Sequence, residues 1–244
     1  DEPKIEHQNL HPAYDKFRNG YSDKDTRKLE AWKNGKTGFP FIDACMRSLA
    51  ATGWINFRMR AMLMSFSSFH LWLDWKEPAK YLSQLFLDYE PGIHYSQVQM
   101  QSATTGINTI RIYNPIKQSK KQDPKGQFIR RWVPELSELD DEIIHTPWLL
   151  DHPPSNYPKP IINEEEARRD AASVLYGLKK LIKGEQTRIK IIKKHASRKK
   201  PFKRSKNKRT STKEIKVIEQ KNKSNETKIK NYFEHHEGQG VLPL

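Results

Sequence analysis

Two arginines, Arg58 and Arg60, stand in the otherwise apolar run TGWINFRMRAM, and three further ionisable residues, Asp88, Glu90 and His94, follow in FLDYEPGIHYSQ. Two residues apart on a helix, the arginines point about 200° from one another, so they serve different partners. One can snorkel to solvent while the other forms a structural ion pair, and an arginine buried in so apolar a helix requires a counter-charge. Asp88 and Glu90, at a helix-to-loop junction with His94 a little beyond, are the candidates for that role. Taken bare, the D-x-E-x-x-x-H spacing is compatible with a metal site, a carboxylate acid–base pair or a cofactor pocket, and it selects none of them.

The elements that must position these residues read as helices. Pro40 suits the first turn of one, Phe41, Cys45 and Leu49 recur at four-residue spacing, and Gly53 breaks the run. A longer helix is predicted from Asn56, a plausible cap, to Trp72; it is rich in Met, Leu, Phe and Trp around most of its circumference and is therefore central and buried. Pro78 opens a third helix through Leu87, after which Gly, Thr, Asn and Pro predict short helical stretches at most. Between Pro134 and Pro160 repeated prolines prevent regular helices and predict a surface wrap. The run NEEEARRDAASVLYGLKKLIK then has Asn163 as cap, glutamates in its first turn, lysines in its last, and Ala171, Val174, Leu175, Leu178 and Ile182 as its apolar stripe, which predicts a terminal docking helix. No strand pattern or internal repeat competes, so the ordered part reads as all-α.

Charge divides the chain. Lys and Arg number 44 against 29 Asp and Glu, a formal +15, yet residues up to Gly177 carry 23 of each sign. The basicity, and with it the attraction to an anionic partner such as nucleic acid, belongs to the tail. Residues 1–28 are polar and read as an entry segment without helix or strand periodicity; 29–183 form the helical domain; 184–244 read as a disordered basic tail, because from Glu185 to Lys230 aromatics vanish apart from Phe202. Cys45 has no partner for an intrachain disulfide and reads as a small buried hydrophobe. The absence of an apolar run of about 18 residues and of a signal-peptide order predicts a soluble protein in a reducing compartment with no membrane partner: cytoplasmic or nucleoid-associated in a prokaryote, nuclear in a eukaryote. In the tail, RKKPFKRSKNKR suits nucleic acid or a nuclear-import-like signal, and Glu226, Ile229, Tyr232 and Phe233 approximate a sliding-clamp-binding peptide with Glu in place of its leading Gln. His235 and His236 lack further ligands, and no metal site is predicted.

Three blocks carry a resemblance: WKNGKTGFPFIDACMRSLAATGWINFRMRAM, LDWKEPAKYLSQLFLDYEPG and RIYNPIKQSKKQDPKGQFIRRWVPEL. In unbroken order over roughly residues 29–150, they resemble the C-terminal half of the flavin domain of DNA photolyases and cryptochromes. The resemblance implies a helical domain, here partial, that holds FAD in a U-shaped form. It further implies light-driven repair of pyrimidine dimers in damaged DNA by a deoxyribodipyrimidine photo-lyase, or blue-light signalling without repair in a cryptochrome. A nucleic-acid-binding remnant acting through its tail is the third alternative. By residue, Arg60 and Asp88 match the ion pair beside the isoalloxazine ring, Glu90 the second acidic position bonded to the flavin, and Trp54 a residue lining that pocket. His94 matches the position facing flavin N5, where photolyases commonly have Asn, and Phe57 likewise stands where Asn is usual. Arg58 and Arg111 match arginines that contact DNA phosphates, and Met100 replaces a tryptophan that flanks the dimer. Trp75 matches the middle member of the tryptophan wire that photoreduces the flavin, but the inner position is Val98 and the outer falls near Ser22. Trp72, Tyr81 or Tyr95 could offer a detour, and an external reductant could bypass the wire. The family's N-terminal α/β domain, the phosphate loop and a dimer-contacting glutamate are expected upstream of Asp1, so FAD binding by this chain alone is expected to be weak or absent until that part is supplied.

Overall fold

The computed structural model describes residues 3–18, 22–195 and 231, and every regular element among them is helical. α1 (Asp23–Lys33) opens on a reciprocal capping box, in which Ser22 Oγ accepts the Asp25 N–H and the Asp25 carboxylate accepts the Ser22 N–H. The entry segment is thus not devoid of helix: α1 begins inside it and carries Leu29 and Trp32 into the core, and Tyr14 of the segment itself is buried. α2 (Pro40–Thr52) has Pro at its start and ends on Gly53, whose φ of 70° lets its N–H return to the Leu49 carbonyl. Phe41, Cys45 and Leu49 are all buried, and burial pushes the Cys45 thiol up, in keeping with a core hydrophobe.

α3 (Phe57–Ser65) begins where expected, with the Asn56 side chain accepting the Met59 N–H. The chain stays helical to His70, close to the expected end at Trp72, but it changes form on the way. The α-helix gives way to a π-helical turn over Phe66–His70, and Trp72 has a φ of 57°. Tertiary partners divert the ladder: Arg18 donates to the Ser68 and Ser102 carbonyls, and Ser68 Oγ pairs with Ser102 Oγ at 3.1 Å. α4 (Lys76–Leu85) starts two residues before Pro78, which sits in its first turn, and stops two before Leu87. α5 (Pro91–Gln101) is a full helix where only short stretches were expected; Glu90 caps it and Pro91 leads it, but its mixed polar and apolar faces hide the period.

α6 (Pro115–Gln122) and α7 (Gln127–Trp132) pack on α2, and 3-10 turns carry the proline-rich stretch around the surface. The buried Asp43 carboxylate ties this wrap down, accepting from the Thr37 N–H and Oγ1, the Gly38 N–H and Tyr157 Oη, the last at 2.5 Å. Gly38 has a φ of 80°, and a Cβ there would lie 2.4 Å from the Lys159 carbonyl carbon, so this close approach requires glycine. α8 (Glu164–Leu181) is the predicted docking helix, capped by Asn163 and buried through Ala171, Leu175 and Leu178.

The tail boundary expected at residue 184 moves. α9 (Gln186–His195) is helical, buries Ile191 and donates from Arg188 Nε to the Gly106 carbonyl at 3.1 Å. The packing of α8 against the π turn, with Phe69, Ile110 and Tyr14, offers this short helix a platform that local composition does not reveal. Residues 196–230, His235, His236 and the clamp-like positions Glu226, Ile229, Tyr232 and Phe233 lie outside the described residues. No helix among the described residues is long and apolar enough to cross a membrane.

Candidate functional site

α3, α4 and α5 enclose an open cleft. Its apolar walls come from Ala61 and Met64 of α3, Leu82 of α4 with Phe86 just beyond it, and Val98 of α5, while Phe57 and Ile93 form exposed lips. Arg60 reaches the cleft from α3 and is held three ways. Its Nε donates to the Ile55 carbonyl at 2.9 Å, Nη2 to Asp88 Oδ2 at 2.9 Å, and its guanidinium lies 4.2 Å from the Phe86 ring centroid. The ion pair expected from sequence therefore forms, but at the rim rather than in the core: the Asp88 side chain is 53% exposed. The Arg60 guanidinium hydrogen-bonded to it holds the Asp88 carboxyl below its usual range.

His94 lines the same cleft, its ring edges against Phe86, Tyr89 and Tyr95. Its Nε2 lies 3.0 Å from the Ala79 carbonyl, and a carbonyl only accepts, so Nε2 carries the proton. Burial, with Arg60 nearby, pushes the imidazole pKa down; His94 is neutral at pH 7 and Nδ1 is left as a bare acceptor.

Other predicted residues fall elsewhere. Glu90 is spent as a helix cap, its Oε2 accepting the Ile93 N–H at 2.7 Å, and it does not line the cleft. Trp54 is 58% exposed and also stands outside the lining. Met100 is half-buried on α5 away from the cleft walls. Trp75 is buried, donates to Asn9 Oδ1 at 2.7 Å, and meets the Tyr95 ring edge-on at 6.3 Å; Tyr95 in turn meets His94. Val98 is a buried wall residue, and Ser22 is the α1 cap. Tyr81 packs on Trp32, and Trp72 on Phe17. Arg58 and Arg111 are exposed, and neither side chain bonds to another described residue. Sequence reasoning missed Gln97 and Gln101, which share the cleft face of α5 with His94; the signal was their three- and seven-residue offsets from it, invisible until α5 is known to be a helix.

Comparison with known proteins gives the family. Residues 1–176 match the model of the FAD binding domain of DNA photolyase. The chain belongs to the photolyase FAD-binding domain family. Within that family it is 38% identical over 174 residues to a deoxyribodipyrimidine photo-lyase of Streptomyces griseus, covering 69% of this chain and 37% of the relative. It is also 39% identical over 166 residues to cryptochrome-2 of Arabidopsis thaliana, covering 63% and 27%. Two solved structures agree: a class III photolyase from Agrobacterium tumefaciens (TM-score 0.66, 31% identity, 73% of this chain and 39% of that one) and a photolyase from Sulfolobus tokodaii with two FAD molecules (0.65, 34%, 72% and 40%). The chain spans between 27% and 40% of the length of these relatives.

FAD, the cofactor of this domain family, fits the cleft residues. A flat ring matches the apolar walls, Arg60 supplies the one cation of the lining, and Gln97 Oε1 is an enclosed acceptor without a partner that a ligand N–H would satisfy. At the mouth Phe57 and Ile93 are both exposed, and the exposed Tyr89 meets the His94 ring edge-on.

Proposed function

We propose that this chain forms the FAD- and DNA-facing part of a photolyase that repairs pyrimidine dimers. The observation that carries the reading is the Arg60–Asp88 pair set over an apolar cleft beside His94, whose Nε2 is held on the Ala79 carbonyl. When bound, FAD supplies the light-driven electron transfer to the lesion. The walls of Met64, Leu82, Phe86 and Val98 would shield the apolar part of a bound ring from water, while the Arg60–Asp88 pair stays at the rim. Arg60 places a positive charge where a ring that carries negative charge needs a counter-charge. With the Nε2 proton held on the Ala79 carbonyl, His94 Nδ1 is free to accept from a proton-bearing ring edge. Arg58 and Arg111, exposed cations, suit phosphate contacts that position a duplex while a flipped lesion enters the cleft.

The test pairs the full chain with the upstream half of a related flavin domain, adds FAD, and follows a protein-bound flavin spectrum and light-driven loss of thymine dimers. Bound flavin with repair supports the photolyase. Val98 favours a second reading, a cryptochrome-like photoreceptor: this cleft wall is aliphatic where the resemblance puts the inner tryptophan of the wire, and the ring contacts that lead from the buried Trp75 to the cleft run through Tyr95 to His94. Bound flavin without repair or dimer-dependent DNA binding supports that reading instead, and the absence of bound flavin refutes both.

A further inference from the structure

Three glutamines follow one another at every second position in SQVQMQ, and α5 sends them to two different faces. Gln99 is consumed by the fold. Its Nε2 donates to the Ile5 and Gln8 carbonyls at 2.7 Å each, and its Oε1 accepts from the Leu10 N–H and Thr104 Oγ1. Gln97 and Gln101 point into the cleft instead, one helical turn apart and on the same face as His94. Gln101 is only 4% exposed, yet neither of these two amides hydrogen-bonds to another described residue, and Gln97 Oε1 is enclosed as well as unpartnered.

Polar groups kept in such surroundings without partners weaken a fold, and leucine at either position would match the neighbouring walls better. We infer that Gln97 and Gln101, with His94 Nδ1, form a recognition stripe that reads the edge of a planar nitrogen heterocycle presenting an N–H beside an acceptor. A carboxamide carries both functions in one plane and pairs bidentately with such an edge, as glutamine does with adenine. The two amides stand about 6 Å apart along the helix, so they meet separate points of one ligand rather than competing for a single atom. This deepens, and rests on, the reading of the cleft as a flavin site. Both the pyrimidinedione end of the isoalloxazine and the adenine of FAD offer the required edge, and the apolar walls fill the remainder of either ring's contact.

The experiment titrates lumiflavin, FAD and adenosine against the full chain paired with the upstream half of a related flavin domain, as wild type, Gln97→Leu and Gln101→Leu. Melting temperatures are recorded without ligand. The expected result is binding of FAD weakened about five- to tenfold by each substitution, with an unliganded melting temperature equal to or above that of wild type. Loss with lumiflavin assigns the stripe to the isoalloxazine, and loss with adenosine alone assigns it to the adenine. Unchanged FAD affinity in both variants overturns the inference and leaves the flavin site standing; a lowered unliganded melting temperature overturns it by making the amides structural. If wild type binds no flavin, the reading of the cleft fails, and the inference survives only if adenosine binds and Gln97→Leu or Gln101→Leu weakens it.

Discussion

Truncating Arg60 to Ala removes three contacts whose sizes differ in instructive ways. The Arg60–Asp88 pair is short, but with Asp88 more than half exposed it contributes only about 0.2–1 kcal/mol. The guanidinium over Phe86, near the surface, adds about 0.5–1 kcal/mol. The bond from Nε to the carbonyl of Ile55, a residue 2% exposed, adds about 1 kcal/mol and leaves that carbonyl without its donor when lost. Arg60→Ala should therefore cost about 2–3 kcal/mol, and Asp88→Asn under about 1 kcal/mol, since the asparagine oxygen still accepts from Nη2. Urea unfolding followed by tryptophan fluorescence measures both, and the double variant isolates the pair. Asp88 also sets a sign. Its folded pKa lies below the ordinary value, so its stabilisation is present at neutral pH and fades as pH falls through the depressed pKa, a limb that Asp88→Asn should lack. Equal costs for Asp88→Asn and Arg60→Ala would refute this partition and make the ion pair, rather than the anchoring to Ile55 and Phe86, the element that holds the guanidinium in the cleft.

Further outcomes are expected at other positions. His11 is fully buried beside Arg188 and Asp15, with Glu185 3.5 Å from Nε2, and burial lowers its pKa to about 4. Because the unfolded chain binds that proton more readily, stability should be complete above about pH 6.5 and decline toward pH 4, and urea midpoints of His11→Gln should show a flatter profile across that window. Tyr157→Phe removes the 2.5 Å bond to the buried Asp43 carboxylate and should cost about 1.5–3 kcal/mol by chemical denaturation; a loss below 0.5 kcal/mol, roughly, would show that the hydroxyl does not hold the wrap. Arg58→Ala should leave stability within about 0.5 kcal/mol while weakening binding to dimer-containing DNA and reducing its salt slope by about one; an unchanged slope would place the phosphate contacts elsewhere, the basic tail included.

Much of the helical frame was legible because it is written in local chemistry. Pro40 and Gly53 bound α2, and Asn163 and the glutamates after it open α8, while the Arg60–Asp88 pairing was implied by the family resemblance rather than by spacing. α5 was not legible, since a helix with one face on the core, one in a cleft and a third in water shows no single apolar period. The π turn after Ser65 and the helix at 186–195 also depended on distant partners, Arg18 for the first and the platform around Gly106 for the second. Residue types and spacing by themselves thus nominated an arginine, carboxylates and a histidine as candidates for one helical site. Tertiary structure alone decided that Glu90 is spent on a cap, that Trp54 stands outside the walls, and that Gln97 and Gln101 face the cleft while Gln99 clasps the entry segment. A side chain's partner is set by which elements meet across the cleft, and that meeting is a property of the packed chain rather than of its neighbours in sequence.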